Sequence, residues 1–87
     1  MTDVESVIRM VLKTGGYRLG SKSTLKALQK GEAKAVVVAA NCPEDVLEKI
    51  KSYDVKVLTY NGTNMELGAF CGKPFSVAAM AITEEIE

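Results

Sequence analysis

The stretch Gly15–Thr24 reads GGYRLGSKST, and its glycines, lysine and hydroxyls suit one kind of chemistry: holding an anion. In Gly20-Ser21-Lys22-Ser23, a glycine lets the chain turn with no Cβ in the way. The lysine supplies a cation, and the two serines can donate or accept hydrogen bonds. If this turn opens a helix, the first amides point outward unpaired at the positive end of the helix dipole, where anions bind readily. Lys22, Lys26 and Lys30 follow four apart and would form one basic stripe down that helix. The same stretch also reads as an ordinary helix start, with Ser21 or Ser23 as cap and the lysines solvated. Taken alone, it leaves both readings open.

Gly16 to Ser23 comes close to the Walker-A pattern G-x-x-x-x-G-K-[ST], but the second glycine falls on Ser21. That glycine matters because its amide must approach a phosphate closely. A Walker loop also follows a buried strand, whereas Gly16 follows an amphipathic pattern, and no later strand ends in an aspartate suited to magnesium. A small anion- or nucleotide-binding enzyme subunit is therefore the lesser reading. The chain has no histidine, which removes histidine-dependent catalysis, and its two cysteines, Cys42 and Cys71, form no C-x-x-C pair. A zinc site is excluded on the same ground. No metal, no cofactor and no catalysis are expected, and both cysteines are expected to be reduced and structural.

Two further loops carry candidate groups. Asn41-Cys42 follows an apolar run, and Gly72-Lys73-Pro74-Phe75 sets a cation beside an aromatic ring in a turn. Phe75 reads either as core or, if exposed, as a platform on which an unpaired base stacks.

These groups need elements to hold them. Val4, Val7, Ile8, Val11 and Leu12 have helical spacing, with Thr2 and Glu5 as a capping box and Gly15-Gly16 as the stop. A short strand at Tyr17–Leu19 leads to a second helix from about Ser21 to Lys30, with Leu25 and Leu28 inward. Ala35–Ala40 is continuously apolar, as in a strand covered on both faces. Asn41-Cys42-Pro43 starts a third helix with the stripe Val46, Leu47, Ile50. Val55–Tyr60 is the next strand, closed by the turn Asn61-Gly62. Thr63 and Glu66 form a capping box opening a helix through about Phe70, and Phe75–Ile82 is the last buried strand. Four helices alternating with four strands imply an α/β fold with a sheet sandwiched between helices. Gly20–Ser23 and Asn41-Cys42 then both follow strand ends, at the edge where such sheets collect their sites.

With 87 residues, 47% of them hydrophobic and 25% charged, the expectation is one globular domain spanning 1–87. No apolar run nears the roughly 20 residues that cross a bilayer, and Asp3 and Glu5 interrupt any signal-peptide pattern. A cytoplasmic protein with no membrane partner, monomeric in isolation, is expected. Net charge is zero, yet Lys13, Arg18, Lys22, Lys26, Lys30 and Lys34 crowd one segment with a single acid, Glu32, while the tail TEEIE is acidic.

LGSKSTLKALQKGEAKAVVVAANCP and NGTNMELGAFCGKPFSVAAMAI resemble the L-thirty-e family of large-subunit ribosomal proteins, within the superfamily that binds kink-turn RNA. The likeness runs from about Val4 to Ile82. Its specific parts are G-x-K-[ST] opening a helix, AANCP after a buried strand, and ELG…CGKPF before the last strand. A second branch, in modification-guide ribonucleoproteins, usually has asparagine-glutamate where Lys22-Ser23 stands here. The resemblance implies a three-layer α/β/α sandwich with a four-stranded mixed sheet that binds a sharply bent internal loop of ribosomal RNA beside neighbouring large-subunit proteins. It implies contacts to the sheared G·A region from Gly20, Lys22 and Asn41, a phosphate contact from Ser23, and packing of Phe75 beside an extruded nucleotide. Ser21, Lys26, Lys73 and Pro74 complete the expected RNA-binding set. Where many relatives carry arginine after the aromatic, this chain has Ser76. Its segment DVLEKIKSYDVKV is shorter than usual, and a final helix or tail is expected to be short or absent.

Overall fold

The computed structural model describes residues 4–84. Its elements alternate as α1 (Val4–Thr14), β1 (Tyr17–Leu19), α2 (Ser21–Gln29), β2 (Ala35–Ala39), α3 (Glu44–Lys51), β3 (Lys56–Tyr60), α4 (Asn64–Phe70) and β4 (Ala79–Ile82). The proposed Thr2 cap of α1 lies outside the described residues.

The four strands form one mixed sheet in the order β1-β4-β2-β3. β4 is antiparallel to both β1 and β2, and β2 is parallel to β3. β2 is paired on both sides and covered on both faces, which is why AVVVA is buried at every position rather than alternating. Side chains of alternating strand residues leave the sheet on opposite faces and make two separate cores. On one face, Val7, Ile8 and Val11 of α1 and Leu67 of α4 pack on Ala35, Val37, Ala39, Met80 and Ile82. On the other, Ala27 and Leu28 of α2 and Ile50 of α3 pack on Val36, Val38, Ala79 and Ala81. The layers are helix, sheet, helix.

α2 turns Leu25 and Leu28 toward the core as expected, and its inward face also includes Thr24 and Ala27. Leu25 is half-buried, while Thr24, Ala27 and Leu28 are buried. Thr24 is fully enclosed, and its hydroxyl has no hydrogen-bond partner among the described residues. α4 follows its pattern closely: the Thr63 hydroxyl accepts from the Glu66 amide at 3.3 Å, and Glu66 Oε1 accepts from the Thr63 amide at 2.8 Å.

The last strand is a correction. Only Ala79–Ile82 joins the ladder, and Phe75 and Ser76 are exposed. The partner strands run out first: β1 ends opposite Met80, and β2 pairs no further than Ala79. Upstream, the Val77 amide instead donates to the Asn64 carbonyl at 2.9 Å. The apolar run therefore splits into an exposed turn and a buried strand.

Candidate nucleic-acid interface

Because β1, β2 and β3 share one direction and β4 opposes them, their C-terminal ends and the start of β4 lie along one edge of the sheet. Four connections meet there, and backbone hydrogen bonds tie them together. The Gly20 amide donates to the Ala79 carbonyl at 2.9 Å, Ala39 to Ala78 at 2.8 Å, and Ala40 to Gly62 at 2.8 Å. These bonds fix the relative positions of the Gly20–Ser23 turn, the Asn41 turn and the segment leading into β4.

Gly20 is the N-cap of α2, with φ 94° and ψ 153°, a region open essentially only to glycine. No side chain caps this helix. Neither Ser21 nor Ser23 acts as the cap, so that part of the ordinary helix-start reading does not hold, while Lys22, Lys26 and Lys30 are exposed as that reading also expects. The helix instead presents the first-turn amides of Ser21, Lys22 and Ser23, with the Lys22 side chain exposed beside them. The first intrahelical bond runs from the Thr24 amide to the Gly20 carbonyl at 2.9 Å.

Asn41 is exposed in the turn after β2, and its carboxamide is held by Asn64. Asn41 Oδ1 accepts from the Asn64 amide at 2.7 Å, and Asn41 Nδ2 donates to Asn64 Oδ1 at 3.3 Å. A carboxamide has two donors and two lone pairs, so one of each remains for a ligand. Asn64 also accepts from Val77, which makes it the fastening point between the β2 turn, α4 and the approach to β4.

Phe75 is 54% exposed. With Lys73, Pro74 and Ser76 it borders a groove of about 410 Å³ whose far side is Met65 and Ala69 of α4. The loop sits against α4 at Gly68, where an added Cβ would collide with the Phe75 carbonyl oxygen. Lys73 is anchored by its own amide, which donates to the Gly68 carbonyl at 3.0 Å. Beneath it, burial pushes the Cys71 thiol above its ordinary value, with the Lys73 charge opposing in part. Burial, then the nearby Asp45 carboxylate, also raises Cys42. Both cysteines are free thiols.

Of the expected residues, Gly20, Ser21, Lys22, Ser23 and Asn41 lie in loops or first turns at this one edge, whereas Lys73, Pro74 and Phe75 lie in the α4–β4 connection, packed along α4 at Gly68. Lys26 lies a turn further along α2, on the wall of a different cleft that Ser23 also lines. Among the described residues, no group of acidic, cysteine or histidine side chains is placed to hold a metal ion.

Residues 2–87 match the family model described as the ribosomal protein L7Ae/L30e/S12e/Gadd45 family. The chain belongs to this family. It is 84% identical over 86 residues to the large ribosomal subunit protein eL30 of Archaeoglobus fulgidus, covering 99% of this chain and 100% of that one. It is 46% identical over 91 residues to the protein of the same name from Methanopyrus kandleri, covering 100% of this chain and 84% of the other. That name is one of a ribosomal component and not of an enzyme. Solved structures share this fold at low identity. A Giardia lamblia 15.5 kD RNA-binding protein superimposes with a TM-score of 0.72 at 16% identity, covering 98% of this chain and 78% of that one. A Bacillus halodurans protein of unknown function gives 0.75 at 20% identity, covering 92% and 83%.

Three residues at this edge were not apparent in the sequence. Asn64 looks like the first residue of a capped helix, and its partner Asn41 is far away in the chain. Met65, 74% exposed, reads as one more apolar residue in a short helix. Gly68 did leave a signal, since glycine inside a seven-residue helix is unfavourable unless something packs where its side chain would be.

Proposed function

We propose that the protein is a component of the large ribosomal subunit that binds a kink-turn, or a similar sharply bent internal loop, in ribosomal RNA and performs no catalysis. The observation that supports this reading most is that three unlike groups sit on connections tied together at one sheet edge: an open helix start with Lys22, a fixed carboxamide at Asn41, and an exposed ring at Phe75 on the segment that Asn64 fastens through Val77. Amides and lysines position phosphates, whereas a ring and a carboxamide read unstacked bases. A nucleotide phosphate alone would use the helix start and have no need of the ring. The names of the archaeal relatives support ribosomal placement, and the fold shared with an RNA-binding protein is consistent with it.

In this reading Gly20, Ser21 and Ser23 approach the backbone at the bend, Lys22 reaches an exposed guanine edge, and Lys26 neutralises an adjoining phosphate. Lys73 and Pro74 hold Phe75 against a splayed base. Binding titrations of Lys22→Ala and Phe75→Ala with a kink-turn RNA test the assignment. Each substitution is expected to weaken binding by about 1–3 kcal/mol, the range of base-edge and stacking contacts. Two folded variants that bind as tightly as the parent would refute it.

A further inference from the structure

Asn64 opens α4 and meets Asn41 from a place 23 residues away in the chain. Its peptide N–H lies in the first helical turn, where no intrahelical acceptor exists, and Asn41 Oδ1 supplies one at 2.7 Å. Asn64 Oδ1 takes one N–H of Asn41 Nδ2 at 3.3 Å. A peptide N–H can only donate, so the atom facing it must be the oxygen of the Asn41 carboxamide. Turning that group over would set N–H against N–H. Asn64 therefore settles which end of Asn41 donates and which accepts.

Reach decides which side of the carboxamide is used. The nitrogen and Oδ1 of one residue lie too close together to contact the outer sides of both carboxamide atoms. They fit only the shared edge, where a lone pair of the oxygen and one N–H run parallel. Asn41 is exposed, and it keeps for a ligand the outer lone pair of Oδ1 and the outer N–H of Nδ2, which point apart. An unengaged asparagine reads adenine through two parallel bonds from its shared edge. In this protein that edge is occupied.

We propose that Asn64 is a positioning residue of the RNA site, which withholds the paired edge of Asn41 so that Asn41 makes two single contacts to different nucleotides. Oδ1 accepts from a base amine of one, and Nδ2 donates to an acceptor of the other. In this role, which rests on the RNA-binding reading above, Asn64 touches no RNA and acts through Asn41. Two bonds that point apart fix how neighbouring nucleotides lie relative to one another, which suits a bent strand better than the identity of one base.

A double-mutant cycle with a kink-turn RNA reads the positioning role. Asn41→Ala is expected to weaken binding at least about tenfold, as loss of base contacts does. Asn64→Ala removes only the side-chain acceptor, and is expected to cost about three- to tenfold. Its backbone bonds to Asn41 and Val77 remain, so the variant should stay folded, which thermal unfolding checks. In the Asn41→Ala background, Asn64→Ala is expected to cost nothing further. An equal loss in both backgrounds means that Asn64 acts on the fold or on RNA directly, and overturns the proposal. So does an Asn64→Ala protein that binds as tightly as the parent.

Base analogues read the edge. Removing the amine of one purine at the bend is expected to weaken the parent but not Asn41→Ala. Replacing the adjoining ring nitrogen of that purine by carbon is expected to affect both proteins equally. A purine whose amine and ring nitrogen both couple to Asn41 has been read from the paired edge, and overturns the proposal, as does a bend with no amine coupled to Asn41. In NMR spectra of the free protein, one Asn41 Nδ2 proton is expected downfield of the solvated range. It should stay there in Asn64→Asp, which keeps an acceptor, and return to that range in Asn64→Ala; an unmoved resonance in Asn64→Ala counts against the clasp. A parent with no preference for bent over straight RNA overturns the RNA-binding reading and this role with it. A parent with that preference and an additive cycle overturns the positioning role alone.

Discussion

Phe75 stands half in water on a loop pinned at both ends. Stacking on a base and plain apolar contact make different demands on that position. Phe75→Tyr is expected to keep RNA affinity within about twofold, and Phe75→Leu to lose most of what Phe75→Ala loses, because leucine has no π-face. Gly20 gives a second prediction at this scale. An alanine there must adopt a backbone conformation essentially closed to it, so Gly20→Ala is expected to destabilise the protein by about 1–3 kcal/mol in thermal or denaturant unfolding. Thr24 points the other way. Its enclosed hydroxyl has no partner among the described residues, so Thr24→Val, which replaces a hydroxyl with a methyl, is expected to raise stability by about 1 kcal/mol. Denaturant titration of the variant checks the sign.

The exposed groups work only because the elements beneath them cannot shift. α4 and the loop carrying Phe75 touch backbone to backbone at Gly68, and Gly68→Ala must push them apart. The expected loss of stability is about 1–3 kcal/mol, as for an overpacked core. RNA affinity should fall with it, since Lys73 and Phe75 move together; a folded Gly68→Ala protein with unchanged affinity would count against the loop's role. The elements themselves were largely legible in the sequence. AVVVA could only be a strand covered on both faces, and Thr63 with Glu66 marked the start of α4 within a residue. Phe75–Ala78 was misread as strand because apolar content says nothing about where partner strands end. The exposure of Phe75 follows from that ending, so the sequence left it open between core and surface. The Asn41–Asn64 clasp was invisible for a related reason: it joins positions 23 apart, and neither residue has a local pattern that requires the other.

At the scale of the molecule, a net charge of zero conceals the arrangement that matters. Arg18, Lys22, Lys26 and Lys30 stand close together on β1 and α2, a local concentration of positive charge that the neutral sum does not report. Affinity for RNA is therefore expected to fall as salt rises, with a slope that counts the phosphates held. Salt dependence alone does not separate a reader of bent RNA from a general polyanion binder, since both lose affinity. The direct test is a competition at moderate salt between a G·A-containing kink-turn RNA and a straight duplex of equal length and base composition. The kink-turn is expected to win by at least about a hundredfold, corresponding to one or two base contacts made only at the bend. Equal affinity for the two RNAs would contradict the account.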